Sequence, residues 1–449
     1  MTEAEAAYHA EFATLGYYEP GFIHLRVNTH DDLSDLFQLT ALAAPPAWVS
    51  TFLHEYVHFL QDLTTTHGLL NFVLAVEHLK NANEFVLKQA SADFSIPVKL
   101  SNKHNWLTNQ KLRLIYRGKV VPGRDCVSSI DYLDYSRTIE YVLDGGGETI
   151  EVPKYQIGYF DNGAQTRMSC HFGSIHLKEY MAHAVQNQFA PDTVHDDMPY
   201  RVVELIVEKE VPKLAGDSSL IVALCEACLM HYHPAEIFFD AIERMKRNGD
   251  QIPRDPHSAY SFVTNGLKFK GRGTNRTFES LYESMADQAV AAFRSCLKAE
   301  IFKSNVQWFV EVMSEARKLR LGSRGFFTQL VDSKGKFSST FTNVVDVLGI
   351  PFTSNVVFKG YFFPPKKLKM LSIQPYYPKV FQAISLTYSG ACGCSLLDFC
   401  NSNPGSKITN TDCEKQPWMR VTLPDLCPYA QLWRTWGLEG KIPGSAPKT

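Results

Sequence analysis

The stretch LHEYVHFL, Leu53–Leu60, constrains this chain more than any other segment, because it sets His54 and His58 four residues apart with Glu55 directly after the first. Phe52, Leu53, Phe59 and Leu60 flank the polar groups, no Gly or Pro interrupts them, and Pro45 and Pro46 stand just ahead. That pattern predicts a helix. On a helix, residues four apart lie one above the other on the same face, so both imidazoles can reach one metal ion. Glu55 is turned about 100° around the axis. It therefore stands beside the ion, placed to take a proton from a metal-activated water. An acid in so apolar a stretch also asks for a polar partner, which such a water would be. The plainer alternative is a helix with two histidines satisfied in the core or at the surface.

Two imidazoles are too few, since catalytic zinc takes three protein ligands. Asp62 is four residues past His58 on the same helix and would strain it to reach the same ion. A GxxH continuation is excluded because residue 61 is Gln and residue 64 is Thr. Two later stretches carry a mid-helix glutamate. GSIHLKEYMAHA places Glu179 among the small residues Gly173, Ser174 and Ala182, which would let its helix lie close to the first. ALCEACLMHYH places Glu226 between Ala223 and Ala227, with Cys225 and Cys228 as neighbouring sulfurs that read more simply as core packing.

HEYVH and KEYMA together resemble the glutamate-zincin (gluzincin-like) metallopeptidases, HExxH zinc enzymes whose third ligand is a glutamate on a later helix. The resemblance covers two short helices. It implies His54, His58 and Glu179 as metal ligands, Glu55 as catalytic base, one catalytic Zn2+, and a protein or peptide substrate. The long separation of His58 from Glu179 then demands an insertion between the two helices. Acyl transfer also needs a donor for the developing oxyanion. Tyr180, His183, His231 and His233 are the residues expected in that role or behind the ligands, with His183 one turn beyond Glu179. Two other functions stay open: a zinc that only braces helices in an interaction protein, and hydrolysis of a non-peptide amide or ester.

The expected fold class is α+β, with a mostly helical zincin-like core, a β-containing insertion and a mixed, loop-rich C-terminal region. Helical periodicity covers 43–90, with a break at His67-Gly68, and returns in four stretches from 173 onward. Between them, RTIEYVLDGGGETIEVPKYQIGYF alternates on both sides of three glycines and predicts a hairpin followed by a further strand. The expected organisation is a catalytic domain over 1–248 with its insertion at 91–165, a linker or loop at 249–275, a helical region at 276–330 and a C-terminal region at 331–449.

Composition narrows the partners. The 449 residues carry 45 Lys plus Arg against 47 Asp plus Glu, a balance that gives no footing for nucleic acid. MTEAEAAYHAEF is acidic and lacks the apolar centre of a secretory signal, and no apolar run is long enough to span a membrane. A cytoplasmic protein is the default expectation. The insertion and the C-terminal region offer surface for a regulatory protein partner. Of ten cysteines, Cys392, Cys394, Cys400, Cys413 and Cys427 crowd near the C-terminus. In a reducing compartment they form a weak candidate for a second, structural zinc, because their spacing matches no paired CxxC arrangement.

Overall fold

The computed structural model describes residues 16–19, 23–36, 46–90, 93–100, 106–119, 126–144, 146–191, 193, 195–247, 252–265, 269–271, 274–369, 371–391, 393–402 and 409–444. Two short antiparallel strands come first, β1 (Gly16–Glu19) and β2 (His24–Val27). Helices α1 (Trp48–Thr64) and α2 (Thr66–Lys88) follow. The break between them falls at Thr65, two residues before the expected His67-Gly68. Thr65 is extended and its hydroxyl accepts the Gly68 N–H at 3.1 Å, so a side-chain cap starts α2 before Gly68 can end α1.

Helix α3 (Trp106–Arg117) precedes a three-stranded antiparallel sheet of β3 (Ile130–Leu143), β4 (Thr149–Asp161) and β5 (Thr166–Phe172). The β3–β4 hairpin turns through Gly146 and Gly147, whose N–H groups both donate to Asp144. The stretch read as a β-containing insertion thus opens with a helix, and its sheet continues to Phe172. Strand β5 leads directly into α4 (Ser174–Phe189), followed by α5 (Asp197–Tyr200), α6 (Val202–Glu210), α7 (Ser218–Cys228) and α8 (Pro234–Arg247). Within 249–276 lie α9 (Pro256–Thr264), capped by Asp255, and the small ribbon β6 (Phe269–Gly271) and β7 (Thr274–Arg276). Two long helices come next, α10 (Phe278–Cys296) and α11 (Lys303–Gly322).

The C-terminal region holds α12 (Ser339–Leu348), β8 (Ile350–Ser354), β9 (Gly360–Phe363), α13 (Tyr377–Tyr388), α14 (Leu397–Ser402), α15 (Thr411–Lys415) and α16 (Pro428–Thr435). Strand β8 pairs in parallel with β2, His24 opposite Phe352, giving a sheet of order β1-β2-β8-β9. That sheet lies against α1 through β1 and β2, while α2, α4 and α11 pack against the same helix from other directions. Helix α1 is therefore a central helix, buried except at Ser50 and Thr51. Full burial of Phe52, Leu53, Phe59 and Leu60 contributes roughly 1.5–3 kcal/mol each before entropy is counted. The fold is α+β. No helix among the described residues is long and apolar enough to cross a membrane.

Candidate metal centre

Helices α1 and α4 cross so that His54 and His58 meet Glu179. His54 Nε2 lies 3.2 Å and His58 Nε2 3.3 Å from the same oxygen, Glu179 Oε2. The two rings stand edge to face with centroids 5.0 Å apart. Among the described residues, this is the one group of three or more His, Cys, Asp or Glu side chains placed to hold a metal ion, its ligand atoms all within 4.8 Å of one another.

Each imidazole is held from behind by a carboxamide. His54 Nδ1 donates to Gln186 Oε1 at 3.0 Å, and His58 Nδ1 donates to Gln61 Oε1 at 2.8 Å, tautomers assigned from this network. The Nε2 atoms then carry the lone pairs. Gln61 is itself fixed, its amide donating to Lys178 O at 3.0 Å. Lys178 Nζ in turn donates to buried Asp62 at 2.8 Å, a second tie between α1 and α4. Two imidazole lone pairs and a carboxylate oxygen thus face one point, and such donors repel unless a cation stands between them. Burial raises the Glu179 carboxyl, and only positive charge at this point, carried by His58 and His54 when they are protonated, brings it well below the usual range. Two nitrogens and one oxygen are a fitting donor set for Zn2+.

Glu55 leaves the same turn of α1, buried to 6% exposure, and burial raises its carboxyl. Strand β1 passes over it. A Cβ at Gly16 would stand 2.8 Å from Glu55 Oε1 and 2.5 Å from Thr51 Cγ2, so only glycine lets the strand come this close. Tyr18 of the same strand stacks on His58.

The structure separates the other expected residues. His183 lies one turn past Glu179, its ring 4.8 Å from that of His195 and 6.1 Å from that of Tyr200. Tyr180 points into the core, where burial and nearby Glu204 push its hydroxyl far above the usual range. His231 and His233 sit between α7 and α8: His233 Nε2 donates to Pro153 O at 2.6 Å, and His231 lies against Tyr232 and Phe278. Neither joins the ligand group. Glu226 is fully buried and pairs with Arg320, joining α7 to α11. Gly173 does not ease the approach to α1; it packs on the backbone of Arg117 and Gly118.

Sequence reasoning missed His195 and Tyr200, whose rings lie 6.2 and 5.9 Å from that of His54. No spacing marks them, because they arrive on the loop and short helix that follow α4. Burial first, then the nearness of Glu179 and Glu55, keeps the Tyr200 hydroxyl from ionising. Gln186 was findable: it is two turns beyond Glu179 on the same face of α4.

No known protein family, curated protein or solved structure matches this chain. The geometry stands by itself, and His54, Glu55 and His58 with Glu179 beside them match the active site of an HExxH zinc metallopeptidase.

Proposed function

We propose that the chain is a zinc-dependent metallopeptidase cleaving amide bonds of a protein or peptide, with Glu55 as general base. The observation that carries this is the convergence of His54, His58 and Glu179 on one point with Glu55 on the next face of α1. Three ligands, counted among the described residues, is the number of a catalytic zinc; a structural zinc is closed by a fourth. Zn2+ held there would supply Lewis acidity, acidifying water and polarising the scissile carbonyl.

The protein's own groups supply the remainder. Glu55 accepts a proton from the attacking water as its oxygen bonds to the carbonyl carbon, and passes that proton to the nitrogen as the C–N bond breaks. A carboxyl raised by burial suits both transfers. Tyr200, His195 and His183, grouped beside His54, are the nearest donors for the carbonyl oxygen as charge develops. Among the described residues strand β1 is an edge of its sheet, and it runs beside Glu55, so an extended peptide can pair with it. That edge favours a peptide over a small ester.

Glu55→Gln tests the proposal. The amide keeps the size of the side chain but accepts no proton at neutral pH. Zinc content and thermal unfolding should match the wild type, while cleavage falls by about 10²- to 10⁴-fold. A substrate is found by comparing new peptide termini in lysates treated with either form. Wild-type cleavage by Glu55→Gln would remove Glu55 from the mechanism.

A further inference from the structure

After α13 the chain is built from pieces too short to hold themselves. None of the six residues of α14 is fully buried, and α15 buries only Cys413 among its five. Helices of this length are marginal without outside anchorage, and the apolar anchorage of α14 is slight, Phe399 against Phe352 and Leu396 just ahead of the helix. Sulfur stands where an anchor would be. Cys394 in the loop before α14, Cys400 on α14, Cys413 on α15 and Cys427 capping α16 line one cavity of about 10 Å³. That is room for a single small sphere. None of the four is in a disulfide.

Backbone and donors are arranged around that cavity. The Cys394 N–H donates to Cys413 O at 2.7 Å, joining two of the four segments. The Ala430 N–H donates to Cys427 Sγ at 3.5 Å, and the Leu396 N–H donates to Cys394 Sγ. Amide donors aimed at sulfur favour the thiolate, the form that ligates metal. A cation among the sulfurs favours it further.

We propose that Cys394, Cys400, Cys413 and Cys427 bind one structural Zn2+, tying α14, α15 and α16 to the loop after α13. Four sulfurs from four segments meet at one cavity instead of forming two separate pairs, and a closed four-thiolate set is a standard structural zinc site. The four sulfurs are not already gathered as a ligand group among the described residues, so they draw inward on binding. Zn–S bonds of about 2.3 Å bring them to about 3.8 Å apart. Cys392 lies outside the described residues. This site is independent of the one on α1 and α4.

The experiment counts zinc on the full chain. Wild type should carry two equivalents, and the His54→Ala/His58→Ala double variant one. X-ray absorption on that variant should show four sulfurs at about 2.3 Å. A mercurial thiol reagent should release this zinc as four thiols react, a readout that needs no cysteine variant to fold. Cys400→Ser/Cys413→Ser should lose one equivalent from the wild-type total. The proposal is overturned if the histidine double variant holds no zinc, or holds it through nitrogen and oxygen. Recovery of the four cysteines as disulfides in a non-reducing peptide map also overturns it.

Discussion

Exchanging Glu226 for Gln should destabilise the fold and spare the metal, whereas the same exchange at Glu179 should do the reverse. Arg320 is 2% exposed and Glu226 0%. The guanidinium donates to Glu226, to Thr64 O at 2.6 Å and to Thr64 Oγ1 at 3.1 Å, and it lies 4.9 Å from the Phe326 ring centroid. Glu226 also accepts the Gly325 N–H at 3.2 Å. Glu226→Gln keeps shape and one acceptor but leaves the buried Arg320 charge uncompensated. Breaking a buried pair in this way costs about 3–5 kcal/mol, a large part of the roughly 5–15 kcal/mol that holds most folds. Glu179, by contrast, has a side chain 23% exposed, and its charge acts on the point between the two imidazoles. Removing it should weaken zinc binding by more than the roughly 10- to 100-fold typical of losing a partner behind a ligand. Urea unfolding of both variants measures the first quantity, and competition with a chelator measures the second. A Glu226→Gln chain that unfolds like wild type but releases its zinc would refute the reasoning and move the third ligand to α7.

Gln186→Leu removes the acceptor behind His54 Nδ1, so zinc affinity should fall roughly 10- to 100-fold, read by the same chelator competition. Unchanged affinity would show that the ring needs no such support. A further expectation concerns acid. His67 is buried, donates from Nδ1 to Tyr232 O at 3.1 Å, and is lowered by burial to about 3, against about 6.5 when exposed. The unfolded chain takes up a proton between those values that the folded chain refuses. The His67 contribution to stability is therefore complete above about pH 6.5 and falls by about 1.4 kcal/mol per unit as pH drops toward 3. In His67→Asn the slope of stability against pH, from urea unfolding between pH 6 and 4, should be smaller by that amount; identical slopes would sink the claim.

Much of the site was legible locally. The i, i+4 histidines, the glutamate between them and the apolar flanks specify a helix that presents two imidazoles to one ion, whatever surrounds it. The β3–β4 hairpin was equally legible, since alternation and glycines are local signals. Glu179 and Glu226 looked alike, because each is a mid-helix glutamate beside small residues. Only the path of the chain through β3–β5 lays α4 against α1, and only α11, far along the sequence, brings Arg320 to neutralise the other glutamate. His195 and Tyr200 reach the site the same way, by a fold-back that no periodicity records. The strand pairing of His24 with Phe352 and the meeting of four cysteines in one cavity are likewise long-range events. Local patterns set which face a side chain occupies; which faces meet depends on packing that closes loops of tens to hundreds of residues, and that is decided by the whole core at once.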